Sequence, residues 1–146
     1  MSAGYSGTPL VKKLGIQPGH SVAVLGAPDG FVETLRQTLP PAVAVRSRAV
    51  GTVEVIVSFP TVRAKLERRV DALLRTLDVD GGLWIAWPKR ASGVPTDITE
   101  DTVREVFLPL GLVDNKVCAV DEIWSALRVV WRKELRAGRR TAEAAP

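Results

Sequence analysis

Five consecutive apolar residues, Leu83-Trp84-Ile85-Ala86-Trp87, leave a strand with no polar face to turn toward water. Such a strand must be covered on both sides, which points to a sheet held between two layers of helices. The preceding segment supplies one cover. Across Thr61 to Leu77, the residues Val62, Leu66, Val70, Leu73 and Leu77 recur every three or four positions, so they share one helix face. Arg63, Glu67, Arg68 and Asp71 fall mostly elsewhere and read as the solvated side. Asp78, Asp80, Gly81 and Gly82 read as the stop of this helix and the turn into the strand.

The same alternation of strand and helix runs through the chain. Ser21 to Leu25 is a short buried strand, followed by a Gly26-Ala27-Pro28-Asp29-Gly30 turn and a helix with Phe31, Val32, Leu35 and Leu39 on one face. Ala42 to Val45 is a second strand, with Arg46 and Arg48 beginning its solvated exit, and Val53 to Phe59 is a third. Asp97 or Thr99 caps a further helix carrying Val103, Phe107 and Leu110, which Gly111 stops. Leu112 to Val120 and Ser125 to Arg132 form a terminal hairpin. Helices between strands demand parallel pairing. The expected fold is therefore α/β, a three-layer, mostly parallel Rossmann-like sheet with a C-terminal antiparallel hairpin. Residues 1–20 are expected as an N-terminal arm, 21–133 as one α/β domain and 134–146 as a frayed basic tail. One conflict stands: a parallel crossover takes about a dozen residues, and only Arg46 to Thr52 separates the second strand from the third.

Composition narrows the function classes. The single cysteine, Cys118, and single histidine, His20, provide no disulfide framework and no paired metal-ligand spacing, as expected of a cytoplasmic protein. No apolar run is long enough to cross a bilayer, and Met1 to Ser6 lacks the basic start of an export signal. The net charge of +4 is concentrated after Trp131, where Arg132, Lys133, Arg136, Arg139 and Arg140 face only Glu134 and Glu143. A nearly neutral body argues against a broad nucleic-acid-binding face.

In this order, the elements resemble the S-adenosylmethionine-dependent methyltransferase fold in reduced form. More closely, Leu14-Gly15-Ile16-Gln17-Pro18-Gly19, Trp87-Pro88-Lys89-Arg90-Ala91-Ser92-Gly93, Thr96-Asp97 and Gly111-Leu112-Val113-Asp114-Asn115-Lys116-Val117-Cys118 resemble a family of small bacterial proteins, a domain of unknown function, over nearly everything from Gly4 to Lys133. That family carries a fold and no catalytic roles. The methyltransferase resemblance implies an acid in the first strand and three spaced glycines beside the cofactor, where this chain has Val24 and then Gly26, Pro28 and Gly30. It also implies an acid at the end of the second strand to accept from ribose hydroxyls, where Val45, Arg46 and Ser47 stand. Gly26 and Gly30 are thus the residues through which a cofactor contact would survive.

A second candidate site lies beyond the central strand. Lys89, Arg90 and Ser92, with Thr96, follow its carboxyl end, where α/β sheets collect ligand contacts, and could hold a small anion. Asp121 and Glu122, if folded beside Lys89, would form ion pairs or serve as acid and base. Trp84 and Trp87, three positions apart in a strand, point to opposite faces. The leading expectation is a noncatalytic binding or regulatory module on a methyltransferase-like scaffold, recognising a small anion or a protein partner, with no metal and no catalytic residue assigned. One alternative is a small-molecule methyltransferase using S-adenosylmethionine. Another is a structural or homo-oligomeric protein pairing through the hairpin that bears Trp124 and Trp131.

Overall fold

The computed structural model describes residues 9–144. Its six strands are β1 (Ser21–Leu25), β2 (Ala44–Arg46), β3 (Val53–Ser58), β4 (Leu77–Pro88), β5 (Leu112–Ala119) and β6 (Trp124–Trp131). They form one sheet in the order β2-β1-β3-β4-β6-β5, with β2, β1, β3 and β4 parallel and β6 antiparallel to both its neighbours. Helices α1 (Leu10–Leu14) and α2 (Phe31–Arg36) lie on one face, and α3 (Arg63–Thr76) and α4 (Glu100–Phe107) on the other. This is the three-layer, Rossmann-like arrangement that the apolar run of the central strand requires. Ile85 and Trp87 join one core with Leu66, Leu73 and Phe107, while Trp84 and Ala86 join the other with Leu14, Phe31 and Leu35. The two tryptophans do point to opposite faces.

The strand order removes the conflict over the short connection. β2 and β3 do not pair with each other; both flank β1, with Val45 and Val55 opposite Val22. From Arg46 the chain descends three residues to Val53 and crosses two strand spacings, a diagonal of about 14 Å. Residues 47–52 reach about 20 Å when extended, so no crossover helix is needed. β2 itself starts two residues later than expected because Ala42, at φ 62°, still belongs to the turn after Pro40 and Pro41.

Three further expectations are corrected. Asp78 to Gly82 is not a loop before the central strand but part of β4: Leu77 pairs with Val53 and Gly82 with Val55, so the residues between them form a bulge. Leu110 does not complete the stripe of α4, because the helix ends at Phe107 and a 3-10 turn over Leu108–Leu110 leaves Leu110 exposed. After Arg132 the chain does not fray but continues as α5 (Lys133–Ala144). The guanidinium of Arg139 lies 3.6 Å over the Trp131 ring, Arg136 Nε donates to the Trp131 carbonyl at 3.0 Å, and Arg140 pairs with Asp80. The Arg140 bond holds the Asp80 carboxyl below its ordinary value, so this tie is present above the carboxylate range and is lost in acid. At the other end, the arm is partly built into the domain: Val11, Leu14 and Ile16 are buried, and Trp84 Nε1 donates to the Leu14 carbonyl at 3.1 Å. Residues 1–8 of the arm and 145–146 of the tail lie outside the described residues.

Of the two proposed caps, Thr99 serves α4. Its Oγ1 accepts from the Thr102 N–H at 3.2 Å, and the Thr102 hydroxyl accepts from the Thr99 N–H at 3.0 Å. Asp97 instead caps α3, its Oδ1 accepting from the Arg63 N–H at 2.7 Å. Thr99→Ala is expected to lower stability by about 1 kcal/mol in urea unfolding, the usual loss for an N-cap threonine.

Candidate functional site

The carboxyl ends of the parallel strands, the loops after them and the β5–β6 turn share one edge of the sheet. Along this edge the chain places β2 on one side of β1 and β3 on the other, so the gap between β1 and β3 is a switch point. A cavity of about 210 Å³ opens there. Leu25 and Gly26 contribute from the end of β1, Ser58 to Thr61 from the end of β3, and Lys65, Leu66 and Arg69 from the first turns of α3. Gly26 has φ 66°, a conformation that favours glycine. The wall beyond β3 is braced by the next loop: the Thr61 carbonyl accepts from Thr96 Oγ1 at 2.7 Å, and Asp97 caps the adjoining helix. Thr96 therefore bonds toward the cleft wall rather than toward Lys89.

The structure separates the two glycines singled out in the sequence. Gly26 lines the switch-point cavity, whereas Gly30, at φ 85°, lines another recess of about 320 Å³ with Asp29, Phe31 and Trp124. Phe59 stands between these regions, its ring edge-on to Phe31 at 4.9 Å and to Trp124 at 5.1 Å. At the end of β2, where the methyltransferase resemblance implies a carboxylate, Arg46 folds its guanidinium back to donate to the Val50 carbonyl at 2.9 Å. A carboxylate there would accept from ribose hydroxyls, whereas a guanidinium offers only donors. The residues present therefore do not fit S-adenosylmethionine held through its ribose in that way.

Lys89, Arg90 and Ser92 occupy one turn, but their polar groups diverge. Lys89 Nζ donates to the Asp121 carbonyl at 2.8 Å. Ser92 Oγ donates to the Lys89 carbonyl at 2.6 Å and accepts from the Val94 N–H at 3.2 Å. Arg90 lines a recess of about 360 Å³ on the way to α4, beside Thr96 and Thr99. The Asp121 carboxylate does not meet Lys89; it accepts from the Ile123 and Trp124 N–H groups, both at 2.8 Å, and shapes the hairpin turn. His20 accepts from the Gln17 N–H through Nδ1 at 3.1 Å. Burial pushes the Cys118 thiol up, against the opposing pull of Lys13 and Lys116, so it is protonated at neutral pH.

Sequence reasoning passed over Ser58, Lys65 and Arg69. Neither cation lies on the apolar stripe of α3 that the sequence shows, and a buried serine closing an apolar strand gives no periodic signal. The sequence offers only a strand followed at once by a helix with cations four residues apart; that this falls where strand order reverses is shown by the fold.

Among the described residues no cluster of His, Cys, Asp and Glu could hold a metal ion, and no helix is long and apolar enough to cross a membrane. No protein-family model matches the chain, and no curated protein sequence does. Solved structures do. A SAM dependent methyltransferase from Aquifex aeolicus is 15% identical, with a TM-score of 0.63 over 82% of this chain and 86% of that one. The ribosomal protein L11 methylase from Lactobacillus delbrueckii subsp. bulgaricus is 12% identical, with a TM-score of 0.58 over 84% and 75%. The N-methyltransferase NodS from Bradyrhizobium japonicum WM9 is 13% identical, with a TM-score of 0.57 over 85% and 93%. The chain has the Rossmann-like fold of S-adenosylmethionine-dependent methyltransferases in a reduced form.

Proposed function

We propose that this protein is a cytoplasmic ligand-binding domain on the methyltransferase scaffold, and that the cleft between the carboxyl ends of β1 and β3 holds a small molecule. The observation that carries the reading is the position of the cavity, at the switch point where open α/β sheets gather their ligands. Its lining suits recognition: apolar surface from Leu25 and Leu66, a hydroxyl from Ser58 and cationic side chains from Lys65 and Arg69. The Lys89, Arg90 and Ser92 loop enters the same reading as a separate contact for a small anion, through Arg90 and the Lys89 donors left beyond its bond to Asp121.

One observation favours a second reading, S-adenosylmethionine-dependent methylation of a small molecule with Gly26 and Gly30 shaping the cofactor loop. The similar structures are methyltransferases. Calorimetry of the whole chain with S-adenosylmethionine separates the two. Each hydrogen bond to a charged acceptor contributes about 1.5–3 kcal/mol, so losing a ribose carboxylate weakens binding by about tenfold to hundredfold per bond. The binding-domain reading expects no saturable heat at micromolar cofactor. Saturation there, accompanied by methyl transfer to an added acceptor, would establish the enzyme instead.

A further inference from the structure

We infer that the ligand of the β1–β3 cleft carries a phosphate group, received by Lys65 and Arg69 of α3 together with Ser58, while its body rests on Leu25 and Leu66. The inference rests on the cleft being the binding site and adds the chemical class of what it holds. Lys65 and Arg69 are four residues apart, so they are neighbours on one helix face, and both line the cavity. The same two residues line an adjoining recess with Arg68, which makes this stretch of α3 a continuous cationic wall.

The recorded ion pair within this helix joins Glu67 to Arg63, and Arg63 also reaches Glu105 of α4; these pairs lie apart from the cavity. Two like charges at this spacing repel each other, a cost that a bound dianion reverses. Ser58 adds a hydroxyl to the same lining. It is only 7% exposed and lines the cavity, where it can donate beside the two cations. A phosphate supplies several acceptor oxygens at once, matching the guanidinium, ammonium and hydroxyl donors that line this one cavity. A carboxylate has one fewer oxygen and half the charge. S-adenosylmethionine has no phosphate and carries a sulfonium cation, which this wall would repel.

The test is calorimetry on the full chain with inorganic phosphate, adenosine 5′-monophosphate and adenosine, with backbone-amide shifts reporting location. Phosphate is expected to shift the amides of Ser58, Lys65 and Arg69 saturably, and the monophosphate is expected to bind at least about tenfold more tightly than adenosine. Lys65→Ala and Arg69→Ala should each raise the monophosphate Kd by about tenfold or more, with Arg69→Lys restoring part of the loss. Their far-ultraviolet spectra check that the exposed positions leave the fold unchanged.

Equal affinity for adenosine and its monophosphate, with shifts at Gly26 and Thr61, would overturn the phosphate inference and leave the cleft standing. Unaltered monophosphate binding by both alanine variants would do the same. Phosphate that leaves every cleft amide unmoved would also overturn it, and if none of the three compounds moves Gly26, Ser58 or Thr61, the cleft reading fails with it. RNA binding more tightly than the monophosphate, with Arg68→Ala as costly as Arg69→Ala, would assign α3 to a nucleic-acid face instead.

Discussion

Trp84→Ala is expected to lower the unfolding free energy by about 3–5 kcal/mol, the usual loss for a large aromatic side chain removed from a core. The indole is fully buried in the middle of β4, between Val57 of β3 and Arg128 of β6. Its N–H donates to the Leu14 carbonyl, so the substitution also releases the one hydrogen bond recorded between this side chain and the α1 end. Against a total stability of about 5–15 kcal/mol for an ordinary domain, this loss is about a fifth or more. Trp84→Phe, which keeps most of the ring and loses the N–H, should cost clearly less. Urea unfolding followed by circular dichroism measures both. A Trp84→Ala midpoint close to that of the parent would contradict the account of how α1 docks.

The second large effect is expected at Gly81. A Cβ built there would lie 2.5 Å from the Glu54 carbonyl oxygen and 3.1 Å from its carbon, both backbone atoms of central strand β3. Neither can move without parting β3 from the bulge of β4, so Gly81→Ala should destabilise by about 2–3 kcal/mol, at the upper end of overpacking losses. Gly82→Ala is the internal control. The new methyl would meet the guanidinium of Arg128, a side chain free to turn away in a way that strand backbone is not. The expected order of stability is parent, then Gly82→Ala, then Gly81→Ala. An alanine at 81 tolerated as well as one at 82 would show that the close approach of the strands is not a constraint.

Gly81 also shows where sequence reasoning met its limit. An Asp-x-Asp-Gly-Gly run looks the same whether it forms a loop or a bulge, because both need tight backbone and small residues; only the pairing of Leu77 with Val53 decides. β1, β3, α3 and the terminal hairpin were legible because their apolar periods are local. α5 was not, since its anchors, Trp131 and Asp80, depend on tertiary placement; Asp80 lies sixty residues from Arg140. The strand order was equally hidden. Nothing in Ala44 to Arg46 indicates that β2 lies beside β1 rather than β3, and assuming that successive strands pair is what made the connection look too short.

The candidate site was legible only at its glycine. Gly26 announces a tight turn after a strand, but Ser58, Lys65 and Arg69 become a set only once β3 lies against β1 and α3 folds over their ends. Lys89 shows the converse: two adjacent cations and a serine suggest a shared anion, whereas Lys89 and Ser92 each satisfy a carbonyl of the surrounding loops. Sequence proximity reports which charges are near, and the hydrogen bonds decide where they point.

The central claim is that small molecules bind at the β1–β3 switch point. The most direct measurement is a backbone-amide chemical-shift survey of the whole chain against a panel of nucleosides, phosphates, carboxylates and S-adenosylmethionine. The account predicts that saturating compounds move one contiguous set, Gly26, Ser58, Phe59, Thr61, Lys65 and Arg69, which lines a single cavity, with small anions alone adding shifts at Lys89 and Arg90. Saturable shifts confined to Asp29, Gly30 and Trp124, or to the segment from Arg90 to Thr99, would place the site in a different recess and contradict it.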